Sequence, residues 1–85
     1  MYIRAVSVPD GYGLHSRSAS NFINKAKKYE SFIWVGRKRH YVDAKNLFEV
    51  LSLNVSGGIF IEIFANGVDE ERAVEDLVEF VKGLN

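Results

Sequence analysis

Ile59, Ile61, Ile63 and Ala65 stand two residues apart, and just behind them begins an apolar stripe of a different period, Ala73, Val74, Leu77, Val78, Val81 and Leu84. The first pattern is a strand with one face in a core, the second a helix with one face in a core. A sheet carrying its helices on one side satisfies both at once. The remaining chain reads the same way. Residues 2–8 form a strand that Pro9-Asp10-Gly11 ends. A helix over 16–28 buries Ala19, Phe22, Ile23 and Ala26. Residues 31–35 and 40–42 read as two strands with 36–39 as the hairpin loop. A short helix covers 47–53, where Asn46 is a good N-cap and Glu49, three residues on, suits a capping box. Asp69 is the expected cap of the last helix; acids fill its first turn, Lys82 its last, and Gly83 ends it. The order β-α-β-β-α-β-α predicts an α+β fold, an antiparallel sheet with all helices on one face, as one domain over residues 1–85.

Composition narrows the setting. The chain has no cysteine, which excludes a disulfide scaffold and a thiolate metal site and fits a reducing compartment. Arg4 and Asp10 interrupt the first fifteen residues, so no signal peptide is expected, nothing approaches a membrane span, and the cytoplasm is the expected location. The net charge of zero hides an asymmetry. Residues 1–45 hold nine of the eleven bases and three of the eleven acids; residues 46–85 hold the other two bases and eight acids. That balance does not favour nucleic acid, but an acidic partner would dock on the basic half.

The basic half also holds the segment Gly13-Leu-His-Ser-Arg-Ser-Ala-Ser20. It places His15 at or next to the start of the first helix, with Arg17 in the first turn. The N–H groups of Ser16, Arg17 and Ser18 point past the helix end and, with the aligned peptide dipoles, favour an anion there. A cation in the first turn opposes that dipole slightly, which points to a functional reason for Arg17; its fork geometry suits phosphate. Imidazole is nucleophilic when neutral, which suits it to carry a phosphoryl group. A lone His-x-Arg would more often be a solvated loop pair, so the reading leans on the rest of the chain.

The segment resembles the active-site stretch of HPr, the histidine phosphocarrier family of the bacterial sugar phosphotransferase system. Ala44-Lys45-Asn46-Leu47-Phe48 and Val50-Leu51-Ser52-Leu53 resemble the family's second helix, and residues 59–66 with Gly67-Val68-Asp69-Glu70-Glu71 resemble its last strand and helix start. The resemblance implies an HPr-like open-faced sandwich with strand order 1-4-2-3. It implies that His15 accepts the phosphoryl group through Nδ1 from enzyme I and passes it to a sugar-specific IIA component, with Arg17 stabilising charge and the Ser16 and Ser18 amides at the helix end. A carrier of this kind is not a free-standing enzyme and needs no cofactor or metal. The implied docking residues are Ser20, Lys27, Leu47, Phe48 and Leu51, with Lys27 and Lys45 rimming the apolar patch.

Two positions depart from the family. Ser18 replaces the usual proline, which loosens the anion site or adds a donor to it. Asn46 stands where many members carry a serine that a regulatory kinase phosphorylates; asparagine keeps the cap and loses the hydroxyl, so that switch should be absent. Period two also sends Phe32, Trp34, Phe60 and Phe64 to the face away from the helices, a large aromatic patch suited to a homodimer or an extra partner. A register slip by one would bury them instead. Two further readings stay open: a regulatory interaction module with little carrier activity, and a sheet-face RNA binder resting on these aromatics and on Arg37, Lys38, Arg39 and His40.

Overall fold

The computed structural model describes residues 1–84. The elements are β1 (Tyr2–Ser7), α1 (Ser16–Ala26), β2 (Phe32–Arg37), β3 (His40–Asp43), α2 (Leu47–Ser52), β4 (Phe60–Asn66) and α3 (Glu70–Lys82). Four antiparallel strands form one sheet in the order β1-β4-β2-β3, the order that the family resemblance implies. Val6 lies opposite Ile61, and Val35 lies between Ile63 and Val42, so one register lines up the branched residues that face the helices. These residues are buried, as are Phe22 and Ile23 of α1 and Val74, Leu77, Val78 and Val81 of α3. The Phe22 and Phe80 rings meet at 6.1 Å and 59°, joining α1 to the C-terminal part of α3. No helix among the described residues is long and apolar enough to cross a membrane.

Among the described residues, the opposite face carries no helix. It presents Ile3, Phe32, Trp34, Tyr41, Phe60, Glu62 and Phe64, so the expected register holds and the four aromatics lie outside the core.

Three local expectations are corrected. Gly36 and Arg37 are not loop: they extend β2 and pair with Tyr41 and His40. Only Lys38 and Arg39 turn the chain, with φ of 50° and 67°. A two-residue turn with both φ positive matches strand twist, and here ordinary residues adopt it without the usual glycine or asparagine. In α2, Asn46 does cap, its Oδ1 accepting the Glu49 N–H at 3.1 Å. The reciprocal half of the capping box is missing, because the Glu49 carboxylate accepts the Asp43 N–H at 3.1 Å instead and ties the helix to the end of β3.

Asp69 is the third correction. It stands at the N-cap of α3 but makes no side-chain cap. Its carboxylate instead accepts the Glu30 N–H at 2.9 Å, the Ser31 N–H at 3.0 Å and the Ser31 hydroxyl. Ser31 is buried, and this bond satisfies its hydroxyl. Glu70 takes the local role, accepting the Gly67 N–H at 3.1 Å. The Ser31 hydroxyl first, then the Glu30 amide, pull the Asp69 carboxyl down from 3.8 to about 2. A depressed folded value stabilises the protein above the ordinary carboxyl range and loses that stabilisation as pH falls towards 2. Urea midpoints measured through this acid window should therefore fall less steeply for Asp69→Asn than for the wild type.

Candidate functional site

The loop between β1 and α1 is held from below. Leu14 is buried, and its N–H donates to the Val55 carbonyl at 3.3 Å. Gly13 forms a bridge with Ser56. With Leu14 anchored in the core, the next residue, His15, is exposed at the helix entrance with extended backbone angles, φ −104° and ψ −177°. That geometry defines an N-cap.

Gly13 permits this close approach. A Cβ there would stand 2.5 Å from the Val55 carbonyl oxygen and 2.8 Å from His15 Nε2. The imidazole therefore lies over the glycine with its Nε2 edge against the backbone. Gly13→Ala should cost about 1–3 kcal/mol by overpacking. Chemical denaturation checks the loss, and a displaced His15 ring resonance in NMR should accompany it.

Ser18 ties the entrance together. Its hydroxyl donates to the Gly13 carbonyl at 2.5 Å and accepts the His15 N–H at 3.0 Å. A proline at this position would supply neither bond. The serine thus holds by hydrogen bonding a loop that a ring would hold by its fixed φ. The Ser18 N–H approaches the His15 side chain without closing a full hydrogen bond.

The first intrahelical bond runs from the Ala19 N–H to the His15 carbonyl at 2.6 Å. The N–H groups of Ser16, Arg17 and Ser18 precede it and have no partner within the helix. No acid lies in the first turn of α1, so nothing there offsets the positive end of the dipole. Arg17 is exposed beside these amides and enters no ion pair among the described residues. His15, Arg17 and Ser18 line an open hollow of about 460 Å³, shared with Tyr12, Phe80 and Leu84. An anion with four or five heavy atoms fits a space of that size beside three backbone donors and a guanidinium.

The last three lining residues were not expected. Phe80 extends the apolar stripe of the last helix by one position, so periodicity could have found it. Leu84 has the spacing of that stripe, but it lies beyond α3 and is half-buried at the hollow. Nothing in the sequence marks Tyr12.

The expected docking residues are only partly gathered. α2 packs on α1. Phe48 is 81% exposed, whereas Leu47 and Leu51 are half-buried against the core. Ser20 is half-buried in α1, and Lys27 is exposed as the C-cap at the far end of that helix. Lys45 does not rim the patch. Its Nζ donates to the Tyr29 and Ser31 carbonyls at 2.7 and 2.8 Å, which pins the α1–β2 connection. Among the described residues no group of three or more His, Asp or Glu side chains is placed to hold a metal ion.

An open-faced sandwich of strand order 1-4-2-3 with a histidine entering its first helix is the HPr architecture. Residues 3–83 match the family model of the PTS HPr component phosphorylation site, and the chain belongs to this family of sugar phosphotransferase phosphocarriers. It is 37% identical to the phosphocarrier protein HPr of Haemophilus influenzae over 84 residues, covering 99% of each chain. It is 41% identical to that of Borreliella burgdorferi over 72 residues, covering 85% of this chain and 84% of the other. The crystal structure of HPr-C-His from Thermoanaerobacter tengcongensis superposes with a TM-score of 0.92 at 35% identity, covering 96% of this chain and 92% of that one.

Proposed function

We propose that His15 accepts a phosphoryl group from phosphorylated enzyme I and passes it to a sugar-specific IIA component. The observation that carries this reading is the placement of His15 at the N-cap, beside three amides with no helical partner and beside Arg17. In the first transfer the imidazole lone pair forms an N–P bond as the bond from phosphorus to the donor breaks in line. In the second, the acceptor's nucleophile forms its bond to phosphorus as that N–P bond breaks. Nδ1 is the acceptor atom that the family resemblance implies, and the Nε2 side of the ring faces Gly13. The amides of Ser16, Arg17 and Ser18 and the Arg17 guanidinium stabilise the phosphoryl oxygens in both steps. Partner proteins supply the alignment, so the chain is a carrier and not a free-standing catalyst. Its setting is the cytoplasm. Phe48, with the flanking edges of Leu47 and Leu51, forms the apolar part of the docking surface, and Ser20 and Lys27 its polar part.

The test is a chase. Chain loaded from phosphoenolpyruvate through enzyme I should lose its phosphoryl group when a IIA component is added, and IIA should gain it. A chain that loads but does not discharge would favour the regulatory-module reading, to which the Ser18 and Asn46 departures lend support.

Asn46 carries a separate prediction. It caps α2 and has no hydroxyl, so an HPr serine kinase should leave the chain unlabelled. Asn46→Ser should keep stability within a few tenths of a kcal/mol, roughly, since the two residues cap about equally well. Label on the unsubstituted chain, at Ser52 for instance, would contradict this.

A further inference from the structure

The helix-free face is apolar at its middle and oppositely charged at its two ends. Phe32 is 72% exposed, Phe60 67% and Ile3 53%. Trp34 and Phe64 stack across β2 and β4 with centroids 5.1 Å apart and planes at 18°, and Phe32 stacks on Trp34 at 6.2 Å and 29°. Tyr41 meets Phe64 edge-on at 5.1 Å. The Tyr41 ring reaches it by lying over Gly36, where a Cβ would stand 2.3 Å from the ring. Trp34 and Phe64 thus turn their ring faces to one another rather than outward. A nucleobase platform needs free faces, and Glu62, Asp43 and Glu30 on or beside this surface would repel phosphate.

The charges are arranged lengthwise. At the Phe32 end, Glu30 and Asp43 line a shallow hollow with Phe32 and Trp34. Lys45 also reaches that hollow, but its Nζ is bound to the Tyr29 and Ser31 carbonyls. At the other end of β2 and β3 the turn residues Lys38 and Arg39 carry the basic charge, while Arg37 and His40 alternate to the helix side, and the charge of Arg39 is felt at the Tyr41 hydroxyl on this face. A two-fold axis lying in the plane of the face and perpendicular to the strands keeps each strand over its own counterpart and reverses its direction. Under that operation the basic hairpin of one copy falls over the acidic hollow of the other. Large also falls over small: Ile3 over Ala5 in β1.

We infer that this face is a self-complementary interface, and that two copies of the chain pack sheet to sheet with their strands antiparallel. Arg39 of each copy enters the hollow between Glu30 and Asp43 of the other, beside the Phe32 and Trp34 rings. An axis along the strands would lay β2 and β3 over β4 and β1, setting each basic hairpin over the Ser7–Phe60 end of the other copy and away from the Glu30–Asp43 hollow, and is disfavoured by charge. Glu62 stays satisfied in the interface by the Tyr41 hydroxyl, and this buried charge keeps the association weak. The site of His15 lies on the helix side and remains open in the dimer. The inference does not depend on whether His15 carries phosphate.

Sedimentation velocity on the full chain up to about 1 mM tests it, with an expected dimer dissociation constant on the order of 100 μM. Trp34 emission should shift to the blue as concentration rises. Phe32→Ser with Phe60→Thr, both at exposed positions, should be monomeric throughout with an unchanged circular dichroism spectrum. Arg39→Glu and Glu30→Lys should each weaken the dimer roughly tenfold or more, and the chain carrying both should recover it, because the exchanged charges meet again under the same axis. A wild type that stays monomeric overturns the inference, as does a dimer that survives the loss of Phe32 and Phe60. Wild type that is monomeric and binds poly(U) in a salt-dependent titration overturns it in favour of nucleic acid. A doubly exchanged chain no tighter than its single variants overturns the antiparallel arrangement.

Discussion

Alanine in place of His15 should abolish phosphoryl acceptance and leave the fold standing. The loss is complete because no other nucleophilic ring nitrogen lies in the hollow: the only other histidine, His40, is on the β3 hairpin, far from the helix entrance. The fold survives because the ring is exposed and closes no capping hydrogen bond, while the His15 carbonyl and N–H, which make the local bonds to Ala19 and Ser18, belong to the backbone and remain. Removing a cap side chain of this kind costs about 1 kcal/mol or less. Thermal unfolding should therefore shift by a few degrees at most while label incorporation falls to background. Incorporation above background in His15→Ala places the acceptor elsewhere.

Arg17→Ala should have the second largest effect. The guanidinium is exposed, packs into no core and joins no ion pair among the described residues, so stability should hardly change. The transfer rate should fall by about 10²–10³, the range seen when one donor is removed from a preorganised anion site. The remaining amides and the helix dipole account for the residual rate. Quenched-flow transfer from enzyme I measures it. Arg17→Lys should recover only part of the loss, since an ammonium keeps the charge but not the planar fork. An Arg17→Ala chain that transfers at the wild-type rate would leave the phosphoryl group to the amides alone.

Much of the fold was legible because its two periods are clean. The alternation of Ile61, Ile63 and Ala65 is strict, and the stripe from Ala73 to Val81 never breaks, so element types and the buried face followed from residue spacing alone. The same alternation placed Phe32, Trp34, Phe60 and Phe64 outside. Strand order was not legible in this way: Val35 can face any apolar strand, and only the family resemblance chose Ile63 and Val42 as its neighbours.

Three of the misses share one cause, a side chain that bonds to a tertiary partner rather than to its local one. Asp69 has the spacing of a helix cap, yet its carboxylate is drawn to Glu30 and Ser31 of the α1–β2 connection. Glu49 has the spacing of a capping box, yet reaches Asp43. Lys45 reads as a rim residue and is a pin for two carbonyls. Local propensity ranks local partners, and each of these partners is set by tertiary approach. The hairpin erred differently: Lys38-Arg39 lacks every residue that favours positive φ, and strand pairing imposes it.

At the site, His15, Arg17 and the three amides were readable from Gly13-Leu-His-Ser-Arg-Ser. The roles of Gly13 and Ser18 were not, since they depend on Val55 and on the exact course of the loop. Tyr12, Phe80 and Leu84 reach the hollow from elements that no local motif connects to His15.

The most direct measurement is nuclear magnetic resonance of the nitrogen-15-labelled chain after incubation with phosphoenolpyruvate and a catalytic amount of enzyme I. A single phosphoryl group should appear on Nδ1 of His15, stable in base and labile in acid, and it should be absent when enzyme I is omitted. A His15 ring that stays unmodified under conditions that fully load another HPr, or an adduct on any other residue, contradicts the account.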